Sequence, residues 1–154
     1  MLQLTSMKLK VGDKAPEFKG IDQNGKNVKL ADYKNRWLLL YFYPEDDTFG
    51  CTKEACNFRD NIEKLETKLN IVGVSADSLL SHKKFAEKYS LNFPIIPDPE
   101  RKIISAYDVS GFIGLKAKRT SFLIGPHSEI EKIYEKVNPD THVDEVIRDL
   151  NEFI

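Results

Sequence analysis

The sequence is short of most features that would tie it to a special environment. It has two cysteines and one tryptophan among 154 residues. Two cysteines cannot build the dense disulfide framework of a small secreted scaffold. With His82, His127 and His142 scattered along the chain, they do not supply the closely spaced ligands of a closed zinc site either. No stretch approaches the roughly 18 apolar residues that span a bilayer. Met1 to Lys10 lacks the apolar core of a secretory signal. The formal net charge is −1 and like charges are nowhere massed, so neither nucleic acid nor a membrane surface is a predicted partner. Internal repeats, linkers and low-complexity tracts are missing too. What remains is an ordinary globular composition, 41% hydrophobic and 31% charged, in a length that fits one core. The expectation is a soluble, cytoplasmic protein folded as a single domain over residues 1–154, with residues 1–7 loosely attached.

Taken in order, the chain alternates strand and helix patterns. Phe18 to Leu30 holds Asn24-Gly25 between short mixed runs, a strong hairpin signal. Trp37 to Tyr43 is an unbroken apolar run rich in aromatics and predicts a buried strand. A helix is expected from Cys51 to about Leu69, then a second buried strand over Ile71 to Ser75. Ser81 is a candidate N-cap for a helix through Tyr89, with Phe85, Ala86 and Tyr89 facing inward. Phe93 to Pro99 reads as extended, Glu100 to Tyr107 as a short helix, and Gly111 to Lys118 as a loop that turns basic. Phe122–Ile124 and Glu129–Val137 predict two more strands around the turn Gly125-Pro126-His127-Ser128. Thr141 with Asp144 resembles a capping box. It opens a last helix with Val143, Val146, Ile147, Leu150 and Ile154 on one stripe. The whole is an α/β sandwich, a central mixed β-sheet flanked by helices with an N-terminal β-hairpin.

The chemistry is concentrated in Tyr41-Phe42-Tyr43-Pro44-Glu45-Asp46-Asp47-Thr48-Phe49-Gly50-Cys51-Thr52-Lys53-Glu54-Ala55-Cys56. Pro44 has no backbone donor and cannot continue a central strand. Asp46, Asp47 and Gly50 suit an irregular loop. Cys51, Ala55, Phe58, Ile62, Leu65 and Leu69 then step at helical spacing. Cys51 is therefore placed in the first turn of an amphipathic helix, just past a core strand. Unpaired N–H groups and a partial positive charge gather there, which favours a thiolate over a thiol. A lone cysteine is also often a small buried hydrophobe, and Cys56, five residues on, could be a plain helix-core residue. On a regular helix the two Cα atoms would lie roughly 8–9 Å apart, beyond the ~7 Å that a disulfide bridges without backbone movement. A permanent disulfide is not expected; a transient one requires the helix to unwind.

Pro44-x-x-x-Thr48-x-x-Cys51 resembles the active-site motif of the peroxiredoxins. The run Phe42 to Asp60 is similar to the bacterioferritin-comigratory-protein, or peroxiredoxin Q, subfamily, which carries a second cysteine five positions after the first. Val11-Gly12-Asp13-Lys14-Ala15-Pro16-Glu17-Phe18 looks like the family's opening segment. Ser81 to Tyr89 looks like its middle helix, and Arg119-Thr120-Ser121-Phe122-Leu123-Ile124 like its arginine-bearing strand. One departure is visible: Phe49 stands where the subfamily usually has Pro.

The resemblance implies a thioredoxin-like fold and an atypical two-cysteine, thiol-dependent peroxidase acting on hydrogen peroxide and organic hydroperoxides. It implies Cys51 as the peroxidatic residue and Cys56 as the resolving one. Arg119 would hold the thiolate and polarise the peroxide, Thr48 would hydrogen-bond a peroxide oxygen, and Pro44 would end the strand and shield the thiolate. Glu54 is expected chiefly as a charge on the helix face or first turn, with a hydrogen-bonding role in the pocket as the weaker alternative, and His82 as a surface residue. A dithiol protein, thioredoxin or a glutaredoxin-like protein, is the implied reductant; no metal, flavin or nucleotide cofactor is implied. A monomer, or at most a weak dimer, is expected. Two alternatives share the cysteine chemistry: a protein thiol–disulfide oxidoreductase, which usually carries Cys-x-x-Cys, and a non-enzymatic redox sensor or chaperone-like binding protein.

Overall fold

The structure, a computed structural model, describes residues 8–65, 69–111 and 116–154. The segment expected to be loosely attached, 1–7, lies outside the described residues, as do 66–68 and 112–115. A two-stranded hairpin, β1 (Lys19–Ile21) and β2 (Asn27–Lys29), precedes a five-stranded sheet. The sheet strands are β3 (Leu38–Phe42), β4 (Asn70–Ser75), β5 (Ile95–Pro97), β6 (Thr120–Ile124) and β7 (Ile130–Tyr134), ordered β5-β4-β3-β6-β7. β3 pairs parallel with β4 and antiparallel with β6, so the sheet is mixed and β3 is its centre. Among the described residues the α-helices are α1 (Phe49–Leu65), α2 (Leu79–Tyr89), α3 (Lys102–Ala106) and α4 (His142–Phe153), with a short 3-10 helix at Leu30–Tyr33. This is the expected thioredoxin-like arrangement.

β3 shows why a continuous apolar run is needed. Successive side chains of a strand point to opposite faces, and both faces here are covered. Leu39, Tyr41 and Tyr43 pack with Phe58 of α1, Phe85 of α2 and Val143, Val146 and Leu150 of α4. Leu38, Leu40 and Phe42 pack on the other side with Ile103, Ile104 and Tyr107, and with Phe18 and Val28 of the hairpin region. Asn24-Gly25 does close the hairpin, through a three-residue turn: Gly25 donates to the Asp22 carbonyl at 3.0 Å, at a φ of 81° that glycine adopts without strain. Gln23 in that turn ties the hairpin to the sheet, donating to the Phe93 carbonyl and accepting from Ile95 N–H.

Several boundaries differ from expectation. α1 starts at Phe49, so Gly50 belongs to the helix and not to the loop. The N-cap of α2 is Ser78, whose hydroxyl accepts from Ser81 N–H at 3.1 Å; Ser81 lies within the first turn. Ser78 has the extended backbone that a cap requires, at φ −75° and ψ 166°. Thr141 sits at the α4 N-cap without a side-chain capping bond. Its φ of −120° and ψ of −5° continue a turn in which the Asn138 carbonyl accepts from both Thr141 and His142 N–H. Ile154 lies beyond the last helical residue and is exposed. Among the described residues, no helix is long and apolar enough to cross a membrane.

Candidate active site

The site is built where β3 leaves the sheet. Tyr43 still donates to the Val74 carbonyl of β4; half-buried Pro44 follows, and the pairing stops. The loop turns at Asp47, whose φ of 58° is a left-handed conformation that Asp tolerates. It enters α1 with the Thr48 carbonyl accepting from Thr52 N–H at 2.8 Å. Phe49 is the first helical residue, a position where proline's fixed φ is well suited. Here the position carries an aromatic ring that is 86% exposed, with Lys53 over its face.

Cys51 lies in the first turn as expected, and its side chain is nearly sealed, 1% exposed. The register of β6 on β3 brings up its partner. Phe42 stands opposite Thr120, so the next step along the antiparallel pair sets Arg119 beside Tyr43. From there Arg119 Nη2 donates to Cys51 Sγ at 3.3 Å, while Nη1 donates to Glu54 Oε1 at 2.9 Å. Gly50 makes this approach fit: a Cβ there would lie 3.1 Å from Arg119 Nη2 and 3.4 Å from Pro139 Cγ.

Glu54 departs from the main expectation of a helix-face or first-turn charge and takes the weaker one, a hydrogen-bonding role in the pocket. It is fully buried, and its second oxygen, Oε2, has no hydrogen-bond partner. Residues 51, 54, 55 and 58 share the face of α1 that covers the sheet, which carries Glu54 inward with them. Burial pushes its carboxyl up to about 7, against the pull of Arg119. Burial disfavours the Arg119 cation, yet the charge of Cys51 and then of Glu54 outweighs it and moves the guanidinium pKa up. One permanent cation thus serves two acidic side chains in a water-poor pocket.

The other expected residues are placed as follows. Thr48 donates its hydroxyl proton to the Glu45 carbonyl at 3.0 Å, which leaves its oxygen lone pairs free to accept. Cys56 is half-buried on the same unbroken helix, and both cysteines are free thiols. Direct bonds join Cys51, Arg119 and Glu54; Thr48 joins them through the helix backbone, and Pro44 through the loop. His82 is a correction. It is fully buried, because it precedes Phe85 and Ala86 by one helical turn on the inward stripe of α2. That spacing was the signal for it. Its ring contacts Ser75, Tyr43 and the loop acid Asp46.

The AhpC/TSA family model matches residues 11–133. The chain belongs to the AhpC/TSA family. Within it, the chain is 39% identical over 155 residues to Peroxiredoxin Bcp of Bacillus subtilis, covering 95% of this chain and 98% of that one. It is 38% identical over 144 residues to the chloroplastic Peroxiredoxin Q of Arabidopsis thaliana, covering 92% and 67%. Among solved structures, a cysteine-to-serine variant of Xylella fastidiosa PrxQ superposes with a TM-score of 0.90 at 29% identity, over 96% of this chain and 99% of that one. A Xanthomonas campestris bacterioferritin comigratory protein, solved in work on its alkyl peroxide reduction activity, superposes at 0.83 and 29% identity, over 88% and 91%. The mixed sheet flanked by helices is therefore the fold of the family's solved structures.

Proposed function

We propose that this peroxiredoxin reduces hydroperoxides through Cys51 as peroxidatic thiolate, Cys56 as resolving thiol, and Arg119, Thr48 and Pro44 as the pocket around them. The observation that carries the assignment is the 3.3 Å bond from Arg119 to Cys51 Sγ at the start of α1. Helix N–H groups and a guanidinium there both favour negative charge on sulfur. The thiolate attacks the terminal peroxide oxygen, an S–O bond forms as the O–O bond breaks, and the departing oxygen takes a proton to leave as water or alcohol. Arg119 and backbone N–H groups stabilise the charge as it moves from sulfur to oxygen. With its own proton committed to Glu45, Thr48 accepts from the peroxide O–H and orients it.

The neutral sulfenic acid is then attacked by the Cys56 thiol, giving a disulfide and water. Both cysteines lie within α1, an uninterrupted 17-residue helix, so the Cα separation of roughly 8–9 Å must first shrink by unwinding. An external dithiol restores both thiols by exchange. We assign that role to thioredoxin or a glutaredoxin-like protein, and place the enzyme in a reducing cytoplasm as a monomer. The alkyl peroxide reduction named for the Xanthomonas campestris relative supports organic hydroperoxides as substrates beside hydrogen peroxide. The test is a peroxidase assay coupled to thioredoxin and its reductase, run with hydrogen peroxide and with a bulky organic hydroperoxide. Peroxide-dependent turnover is expected with both, and no turnover with either would overturn the assignment.

A further inference from the structure

The reaction above makes no use of a buried polar cluster just upstream of Cys51. Asp46, in the loop between β3 and α1, is buried, and its two carboxylate oxygens are separately held. Tyr43 donates to Oδ1 at 2.7 Å and Ser81 of α2 donates to Oδ2 at 2.7 Å. Asp46 N–H donates to Asp77 at 2.9 Å, and Ser75 donates to the same Asp77 oxygen at 2.7 Å. His82 completes the cluster, with Nε2 at 2.8 Å from Ser75 Oγ and 3.3 Å from the Tyr43 oxygen. With both hydroxyl protons committed to the two aspartates, a proton on Nε2 suits these contacts. Burial pushes the imidazole down to about 4, so His82 is a neutral donor at working pH. The ligand-type atoms of Asp46, Asp77 and His82 lie within 4.8 Å of one another, but these hydrogen bonds account for them without an ion.

Sealing a carboxylate in such a place is costly unless every bond it accepts is kept. The next residue repeats the arrangement: Asp47 accepts from Lys88 at 2.8 Å and from the Tyr89 hydroxyl at 2.6 Å. Asp46 and Asp47 are therefore tied to α2 and the end of the sheet, and neither is tied to α1. We propose that Asp46 is a positioning residue for the peroxide reaction: its anchored carboxylate fixes the Pro44–Thr48 loop, and through it the Thr48 hydroxyl and the first turn of α1 around Cys51. This rests on the peroxidase assignment. Its consequence is that the loop keeps its place when α1 unwinds for resolution, so the reduced helix folds back onto a standing template.

The test compares two reactions of one sulfur. Peroxide reduction needs the oriented pocket, whereas alkylation by iodoacetamide needs only an accessible thiolate. Their rate ratio cancels the thiolate fraction and leaves the positioning term. Asp46→Ala is expected to lower the single-turnover peroxide rate by about tenfold or more, the scale of a misplaced catalytic contact, with alkylation within about twofold. Asp46→Asn, which keeps an acceptor for Tyr43, should recover part of the loss. Ser81→Ala removes a single anchor on a partly exposed residue and should lower the same ratio in a fold left intact, even where Asp46→Ala does not fold.

A pH profile gives a signature that general destabilisation does not. Burial raises the Asp46 carboxyl to about 6, against the bonds from Tyr43 and Ser81 and with the neighbouring charges of Asp77 and Asp47; His82 stays neutral across this range. The wild-type ratio should fall as pH drops through about 6, and that step should be absent in Asp46→Asn. Equal losses in both reactions, or an unchanged peroxide rate in folded Asp46→Ala and Ser81→Ala, would overturn the proposal.

Discussion

Arg119 Nη2 lies 3.3 Å from Cys51 Sγ although 68 positions separate them in the chain. The antiparallel register of β6 on β3 closes that distance, and Gly50 leaves the room for it. Replacing Arg119 by Met keeps most of the apolar stem and removes the charge and its donors. The first reaction with peroxide should slow by roughly 10²-fold or more, the scale for losing a preorganised donor. Single-turnover oxidation of Cys51 measures this, and an unchanged rate would return Arg119 to a purely structural pairing with Glu54.

Cys51→Ser should abolish peroxidase turnover, since a serine hydroxyl is not ionised near neutral pH and is a poor nucleophile towards peroxide. The thioredoxin-coupled assay reads this directly. Retention of a substantial fraction of turnover would move the chemistry to another residue.

Glu54 offers a test through pH. Its folded-state carboxyl sits at about 7 against an ordinary 4.5, so the folded protein favours the protonated acid. Its contribution to stability is full below about 4.5 and is lost as pH rises through about 7. Glu54→Gln carries no such proton. Denaturant unfolding of the two proteins should show the difference moving in favour of the variant as pH rises across that window. The shifts at Asp46 and His82 are common to both and cancel. A pH-independent difference would show that Glu54 keeps its ordinary acidity.

Cys56→Ser should leave the first reaction with peroxide nearly intact and remove turnover supported by thioredoxin. Its Cys51 should persist as sulfenic acid and pass to sulfinic acid under excess peroxide, which mass spectrometry resolves. Undiminished thioredoxin-linked turnover would make Cys56 a packed helix residue only.

Disulfide formation must also break the ties of the unwinding segment. Asn57 donates to the Pro139 carbonyl at 3.1 Å and Lys53 pairs with Asp140 at 2.7 Å. Phe58 is fully buried among Tyr41, Phe93 and His142. Amide exchange should therefore be faster in the oxidised than in the reduced protein across 51–57 and around 139–140. The change should fade at Phe58, whose burial sets the limit of a low-cost local opening. Equal protection in the two redox states would exclude the unwinding step.

The element order was legible in the sequence because it depends on local pattern. A short apolar run rich in aromatics and closed by Pro44 predicts a strand covered on both faces, as Leu38–Phe42 is. A helical stripe beginning at Cys51 can only follow a loop after Pro44. Those two facts, with the motif, put the candidate nucleophile at a helix start and made a permanent disulfide between residues five apart unexpected. The side-chain partners were not legible, since they depend on strand register and on which way a helix face turns. Glu54 and His82 each looked like a surface charge or a surface ring, because polar residues in helices usually are. Packing α1 and α2 against β3 turned both inward, where Arg119 and the hydroxyls of Tyr43 and Ser75 receive them. The sequence alone determined the candidate nucleophile and its place on the chain. Only the tertiary structure decided which buried groups surround it, because burial is what converts an ordinary carboxyl or imidazole into a fixed, uncharged or paired part of a site.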